Sequence, residues 1–231
     1  MQMGKPFDSW VPGPADSVRG DYGGGGRPAA LNAMNVAGIS IDLARLSEAQ
    51  KIVLVEGVSD KAALEVLAGR RGQALGRGGI CVVAMGGATS ISHFLELLGP
   101  HGINMRLAGL CDAAQESHFR GALQRGGFGS SRSCVEMETL GFYVCITDLE
   151  DELIRAVGAA AVEHIIQAQG ELRSFRIFQK QPAQRRQSAD QQLHRFMGTR
   201  SGRKMQYARL MARALDLDRV PRPLDRVLAH A

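Results

Sequence analysis

The sequence predicts an α/β fold, with a mostly parallel central sheet flanked by helices and a helical extension at the C-terminal end. Three observations carry this. Short β-branched apolar runs alternate with amphipathic stretches from Ile52 onward, the rhythm of βαβ units. Those runs are almost continuously apolar, as strands covered on both faces require. Beyond Leu149 the pattern turns helical, with no further strand-like run. A chain of 231 residues with 45% hydrophobic content is long enough to bury a core of this kind.

The elements follow in order. The stretch through Gly26 is rich in Gly, Pro and Asp and lacks apolar periodicity, so a disordered tail is expected over 1–38. Ile39 to Ala49 reads as a lead-in. Ile52 to Val55 is the first strand of the core, and it stops at Glu56-Gly57. A helix follows, with Ser59 as a possible cap and Ala63, Leu64, Leu67 and Ala68 on one face. Ile80 to Ala84 is the second strand, Gly86-Gly87 its turn, and Thr89 or Ser90 the cap of a helix closed by Gly99-Pro100. Leu107 to Cys111 and Phe142 to Ile146 are the third and fourth strands, and the Gly- and Ser-rich stretch from Gly121 to Ser133 is a mobile loop. Leu153, Ile154 and Val157 begin the helical part, continued by Val162 to Ala168 and by helices near Gln184 to Phe196 and Lys204 to Leu215; Pro221 and Pro223 mark a loose end. These readings divide the chain into a tail (1–38), an α/β domain (39–158) and a basic helical extension packed on it or completing it (159–231).

Composition excludes some classes of function. No apolar run approaches the roughly 20 residues of a membrane span, and no apolar stretch follows a basic start. A soluble, cytoplasmic protein is expected. Cys81, Cys111, Cys134 and Cys145 form no C-x-x-C pair, so a structural zinc site is not expected and the cysteines read as small buried hydrophobes. The net charge is +5, which permits a polyanionic partner. From Leu172 to Lys204 there are nine Lys/Arg and one acid, Asp190, whereas Asp148, Glu150, Asp151 and Glu152 gather elsewhere. Arg173, Arg176, Lys180, Arg185, Arg186, Arg200 and Arg203 are the candidate nucleic-acid contacts.

The chemistry lies at the strand ends. Glu56 and Asp60 follow the first core strand, Asp112 the third, and Asp148 and Glu150 the fourth. In open α/β sheets the C-terminal edge of the strands is where ligands bind, so carboxylates far apart in sequence converge there. Clustered carboxylates repel unless a divalent cation neutralises them, and hard oxygen donors select Mg²⁺ or Mn²⁺. Tyr143 reads as core, and His93, His101, His118, His164 and His194 show no ligand spacing.

Val55-Glu56-Gly57-Val58-Ser59-Asp60, Gly109-Leu110-Cys111-Asp112 and Asp148-Leu149-Glu150-Asp151-Glu152-Leu153-Ile154 resemble the topoisomerase–primase (Toprim) fold, in the form found in the overcoming lysogenization defect (OLD) nucleases. Val83-Ala84-Met85-Gly86-Gly87 and the Leu97-Leu98-Gly99-Pro100 turn extend the resemblance over Lys51 to Val157, and more weakly to about residue 215. It implies a Rossmann-like Toprim core with Glu56 and Asp112 as catalytic metal ligands, and Asp60, Asp148 and Glu150 as further ones. Two ions, Mg²⁺ or Mn²⁺, are implied, together with a lysine that stabilises transition-state charge, for which Lys204 is the candidate. The activity implied is that of a DNA endonuclease or nickase. Toprim relatives that act on RNA or transfer nucleotides are the alternative, as is a module that binds nucleic acid or a partner with weakened catalysis.

Two departures stand out. Toprim domains carry Asp-x-Asp after the third strand, but Asp112 is followed by Ala113-Ala114, leaving Glu116 as the candidate substitute. OLD nucleases join this domain to an ATPase, yet the sequence has no G-x-x-x-x-G-K-[ST] loop, so ATP control is expected from a partner in trans. A homodimer through the helical part is the other partnership considered.

Overall fold

The computed structural model describes residues 33–36, 39–42, 46–129 and 133–230. Strands β1 (Ala33–Val36) and β2 (Ile39–Asp42) pair antiparallel in a two-stranded sheet of their own. Part of the expected tail is therefore a strand, because backbone pairing between 33–36 and 39–42 offsets the ordering cost that composition alone suggests cannot be met. The rest of the tail, residues 1–32 and 37–38, lies outside the described residues.

The central sheet contains β3 (Lys51–Val55), β4 (Ile80–Ala84), β5 (Leu107–Cys111) and β6 (Phe142–Val144), all parallel, in the order β4-β3-β5-β6. Helix α1 (Val58–Arg70) links β3 to β4, and α2 (Ile91–Leu98) carries the chain back across β3 to β5. Connections of one hand running in opposite directions place their helices on opposite faces of a sheet. The core divides accordingly. Val53, Val55, Ala108 and Leu110 pack with Leu64 and Leu67 of α1, whereas Ile52, Leu54, Leu107 and Cys111 pack with Phe94 and Leu95 of α2 and with Phe119 and Leu123. The strand order reverses between β3 and β5, which opens a crevice beyond their C-terminal ends.

Local signals set several boundaries differently from the sequence pattern. Helix α1 begins one residue before Ser59, so Ser59 is already helical; Asp60 closes the turn instead, its carboxylate accepting the Gly57 N–H at 2.7 Å. Neither Thr89 nor Ser90 caps α2, because Ala88–Ser90 form a 3-10 turn and Ser90 has helical backbone angles where an N-cap needs extended ones. The glycine-rich stretch is helical at its start: α3 (Glu116–Arg125) buries Phe119, Ala122 and Leu123, and burial of that face outweighs the glycine at position 121. Residues 130–132 of that stretch lie outside the described ones. After α4 (Cys134–Thr139), β6 runs beside β5 so closely that a Cβ on Gly109 would meet the Phe142 ring at 2.5 Å. Only glycine fits there.

Six helices follow: α5 (Leu149–Val157), α6 (Ala159–Ala168), α7 (Leu172–Gln179), α8 (Ala189–Met197), α9 (Arg203–Ala214) and α10 (Arg222–Ala229). Ser188 starts α8 with a reciprocal capping box to Gln191, so this helix begins five residues later than the apolar spacing suggests. Helix α9 lies along α1, with Tyr207, Ala208, Met211 and Ala212 buried in the same core. No helix among the described residues is long and apolar enough to cross a membrane.

The end expected to be loose is a helix. Pro223 sits in the first turn of α10, where a missing N–H costs nothing, and Leu224, Val227 and Leu228 are buried against the β5–β6 side of the sheet. Lys51, 7% exposed at the start of β3, donates from Nζ to the carbonyls of Val227 (3.3 Å), Leu228 (2.9 Å) and His230 (2.7 Å). These groups at and just past the helix end have no intrahelical partner, and an ammonium with three N–H donors satisfies them. Lys51→Met removes a charge-assisted contact from a buried site, and urea denaturation is expected to show a loss of about 2 kcal/mol, with faster amide exchange in α10.

Candidate metal centre

Glu56 is the first residue after β3 and Asp112 the first after β5, so the two adjacent parallel strands deliver their carboxylates side by side. The Asp112 N–H donates to Glu56 Oε1 at 3.1 Å. Asp60, in the first turn of α1, is fixed by its bond to Gly57 N–H. Asp148 is the N-cap of α5 and accepts the Asp151 N–H at 2.8 Å through Oδ1, which leaves Oδ2 to His194 Nε2 at 2.6 Å. Glu150 follows in the first turn of α5 and is 2% exposed. Its Oε2 lies 3.2 Å from Lys204 Nζ on α9, and its Oε1 is enclosed without a hydrogen-bond partner.

The electrostatics show that these groups share one space. Burial pushes Asp60 up to about 7, with the Glu150 and Glu56 charges adding to the rise and the Gly57 N–H opposing it. Asp112 is likewise pushed up to about 7, by burial first and then by Glu56, Asp60, Asp148 and Glu150. Burial also raises Glu56, against the bond from the Asp112 N–H and the charges of His118 and Lys204. Asp148 goes the other way: burial would raise it, but the bonds from His194 and the Asp151 N–H outweigh that and hold it below the usual carboxylate range. Burial acts to lower Lys204, yet Glu150 beside it, with Asp148 and Asp60, holds the ammonium above its ordinary value. Cys111 and Cys145, buried at the same edge, have their pKa values raised by burial and then by neighbouring carboxylates. They are neutral thiols, not thiolate ligands.

Two residues enter that sequence spacing does not reveal. His194, on α8, reaches Asp148 from a position 46 residues away, a separation with no periodic signature. His118, on α3, has an enclosed Nε2 without a partner, and its charge bears on Glu56. Glu116 is not drawn in: it pairs with Arg120 one turn along α3 at 3.6 Å and accepts a hydrogen bond from Cys134. The reason is its place in the first turn of the helix, beyond the strand end that aims Asp112.

The basic segment divides in the same way. Arg173, Lys180, Arg185, Arg186 and Arg200 are exposed, and Arg176 lies on the surface paired with Glu163. Arg203, expected among the nucleic-acid contacts, is 6% exposed and is not a surface group. Its guanidinium donates to Phe196 O, Thr199 Oγ1 and Glu171, and lies over the Phe196 ring at 4.1 Å. A buried arginine must be paired in this manner, and here it joins α8 to α9.

With strand order and carboxylates in place, the comparisons are specific. Residues 49–113 match the family model of the overcoming lysogenization defect protein-like TOPRIM domain. The C-terminal region of the Xanthomonas campestris pv. campestris OLD protein superposes with a TM-score of 0.61 at 20% identity, over 80% of this chain and 93% of that one. The C-terminal region of the Burkholderia pseudomallei OLD protein gives 0.57 at 17%, over 78% and 95%. The chain carries a Toprim domain resembling that of OLD. No curated protein sequence matches it.

The donors of this Toprim domain fit a divalent cation: all but one are carboxylate oxygens, their mutual repulsion is relieved by positive charge, and one enclosed oxygen lacks a partner. The sign of the pH dependence follows. Asp60 and Asp112 have folded pKa values raised from 3.8 to about 7, so the stability linked to them is full at pH below 3.8 and is lost as pH rises through about 7. Without metal, the thermal midpoint is expected to fall as pH rises from about 4 to about 7. Mn²⁺ should restore more of it at the upper end, and Asp60→Asn with Asp112→Asn should flatten the EDTA profile. A flat EDTA profile for the unaltered protein would refute this.

Proposed function

We propose that this protein is a metal-dependent phosphodiesterase acting on nucleic acid, a DNA endonuclease or nickase. The observation that carries the proposal is the convergence of Glu56, Asp60, Asp112, Asp148 and Glu150 on one sheet edge, with Asp60 and Asp112 pushed up to about 7 by burial first and then by neighbouring carboxylates. Such a set is costly to maintain unless a cation offsets it. Those five residues would hold Mg²⁺ or Mn²⁺, two ions in the fullest case. When bound, a cation supplies Lewis-acid polarisation of a phosphoryl oxygen and charge that stabilises the displacement.

The chain's own residues supply the rest. Lys204 is 47% exposed on its side chain while its Nζ rests on Glu150, so it can turn from that carboxylate to a phosphate oxygen and stabilise charge developing there. The exposed Arg173, Lys180, Arg185, Arg186 and Arg200, with Arg176 if Glu163 releases it, form the surface that would attract a polyanion. The Gly57 and Asp112 N–H groups fix Asp60 and Glu56, so neither carboxylate needs to reorganise when substrate arrives.

One observation favours a second reading. Ala114 stands where the Toprim pattern has a carboxylate, and both Ala113 and Ala114 are exposed, as in a domain that binds nucleic acid with weakened catalysis or acts only with a partner such as an ATPase in trans or a second copy. An RNA substrate, or nucleotidyl transfer, would use the same acids. Action in the cytoplasm accompanies each of these readings.

Supercoiled plasmid and a single-stranded RNA, each incubated with the purified protein in Mg²⁺, Mn²⁺ or EDTA, separate them. Metal-dependent nicking is expected, reduced to the EDTA background by Glu56→Ala and by Asp112→Ala, and by about 10²–10³-fold by Lys204→Ala, with far-UV dichroism unchanged. Plasmid retention without cleavage in either metal supports the binding module, and cleavage of RNA alone reassigns the substrate.

A further inference from the structure

The strand-end carboxylates account for only part of the site. Strand β5 delivers one acid, Asp112, since the two residues after it are alanines pointing to solvent. A second group of donors stands across from it: Asp148, Glu150 and His194 offer ligand atoms that all lie within 4.8 Å of one another. Asp148 is the N-cap of α5 and Glu150 lies in its first turn, where carboxylates are favoured by the helix start. His194 comes from α8, three helices later. An ion pair between His194 and Asp148 explains the 2.6 Å contact but not Glu150. That carboxylate is almost wholly buried, Lys204 holds only Oε2, and Oε1 is enclosed with no partner. A buried carboxylate oxygen left without a donor is costly, and among the described residues no donor meets it.

We propose that Asp148, Glu150 and His194 form a nitrogen-bearing metal position that prefers a first-row transition ion to Mg²⁺. The inference rests on the reading of the acidic cluster as a metal site and adds to it a histidine that the acidic pattern does not include. The ion would take the place of the contact between Nε2 and Oδ2 and would give Glu150 Oε1 its missing partner. Mg²⁺ demands oxygen ligands in near-ideal octahedral geometry, whereas imidazole suits transition ions. One histidine among carboxylates therefore shifts the choice of ion without excluding oxygen-loving Mn²⁺. The preference would arise in this chain from α8, not from the strand ends.

Mn²⁺ bound to the full chain provides a direct test, because pulsed electron paramagnetic resonance reads a directly coordinated ¹⁴N nucleus as modulation of the electron echo. The expected result is nitrogen modulation in the unaltered protein, its loss in His194→Gln and its retention in His118→Gln. Calorimetry should show His194→Gln losing about tenfold or more in Mn²⁺ affinity while Mg²⁺ affinity changes less. Bound Mn²⁺ with an oxygen-only environment overturns the inference and leaves the proposed phosphodiesterase standing. Nitrogen modulation that survives in folded His194→Gln overturns the assignment to His194. Failure of the unaltered protein to bind Mn²⁺ overturns both. Should His194→Gln not fold, the unaltered protein and His118→Gln still decide whether nitrogen is bound and whether it comes from His118.

Discussion

Two neighbouring parallel strands, β3 and β5, end side by side, and the acids that terminate them must occupy the same crevice. Like charges in a partly desolvated space disfavour the ionised form, and the rise of Asp60 and Asp112 to about 7 records that cost. Much of the surrounding structure manages it. Backbone N–H groups of Gly57 and Asp112 hold two of the acids, the Lys204 ammonium lies beside Glu150, His194 hydrogen-bonds Asp148, and the helix start at Asp148 offers its N–H groups. These contacts offset part of the repulsion within the crevice.

The helical part after Leu149 is integral to that arrangement. Helices α8 and α9 carry His194 and Lys204, and both are anchored in the core beside α1 and α5 through Leu193, Phe196, Tyr207 and Met211. The joint between them is the buried Arg203, braced by Glu171, whose other oxygen accepts the Tyr207 hydroxyl at 2.8 Å. Such a joint sets the direction of α9, and so the reach of Lys204. An arginine that looks like a phosphate contact in the sequence is instead buried between α8 and α9, next in the chain to the lysine that faces the carboxylates. At the opposite end of β3, Lys51 ties α10 to the sheet, so the first core strand is held at its start by the last helix and carries Glu56 at its finish.

Charge is distributed to the same purpose. The exposed basic residues from Arg173 to Arg200 belong to α7, α8 and the turns around them, while the acids are partly or almost wholly buried at the sheet edge. Under the proposed function, separation of this kind would let the basic surface attract a polyanion before it meets the carboxylates. Salt screens the exposed set over about 8 Å at physiological strength and affects the enclosed set much less.

The sequence by itself determined the four core strands, their parallel arrangement and the five strand-end acids. Each of these depends on neighbours in the chain: β-branched runs, a following helix, and a carboxylate at the point where a strand stops. Tertiary structure decided the remainder. The helix at Arg222–Ala229 has no mark of its own beyond a few apolar residues, and it forms because Leu224, Val227 and Leu228 find the sheet and Lys51 finds its last carbonyls. His194 reaches Asp148 while Glu116 turns to Arg120 and Cys134, because reach in space depends on where a helix is packed, not on separation along the chain. Arg203 became a buried brace for the same reason: nothing local to an arginine states whether its neighbours will be water or Phe196, Thr199 and Glu171.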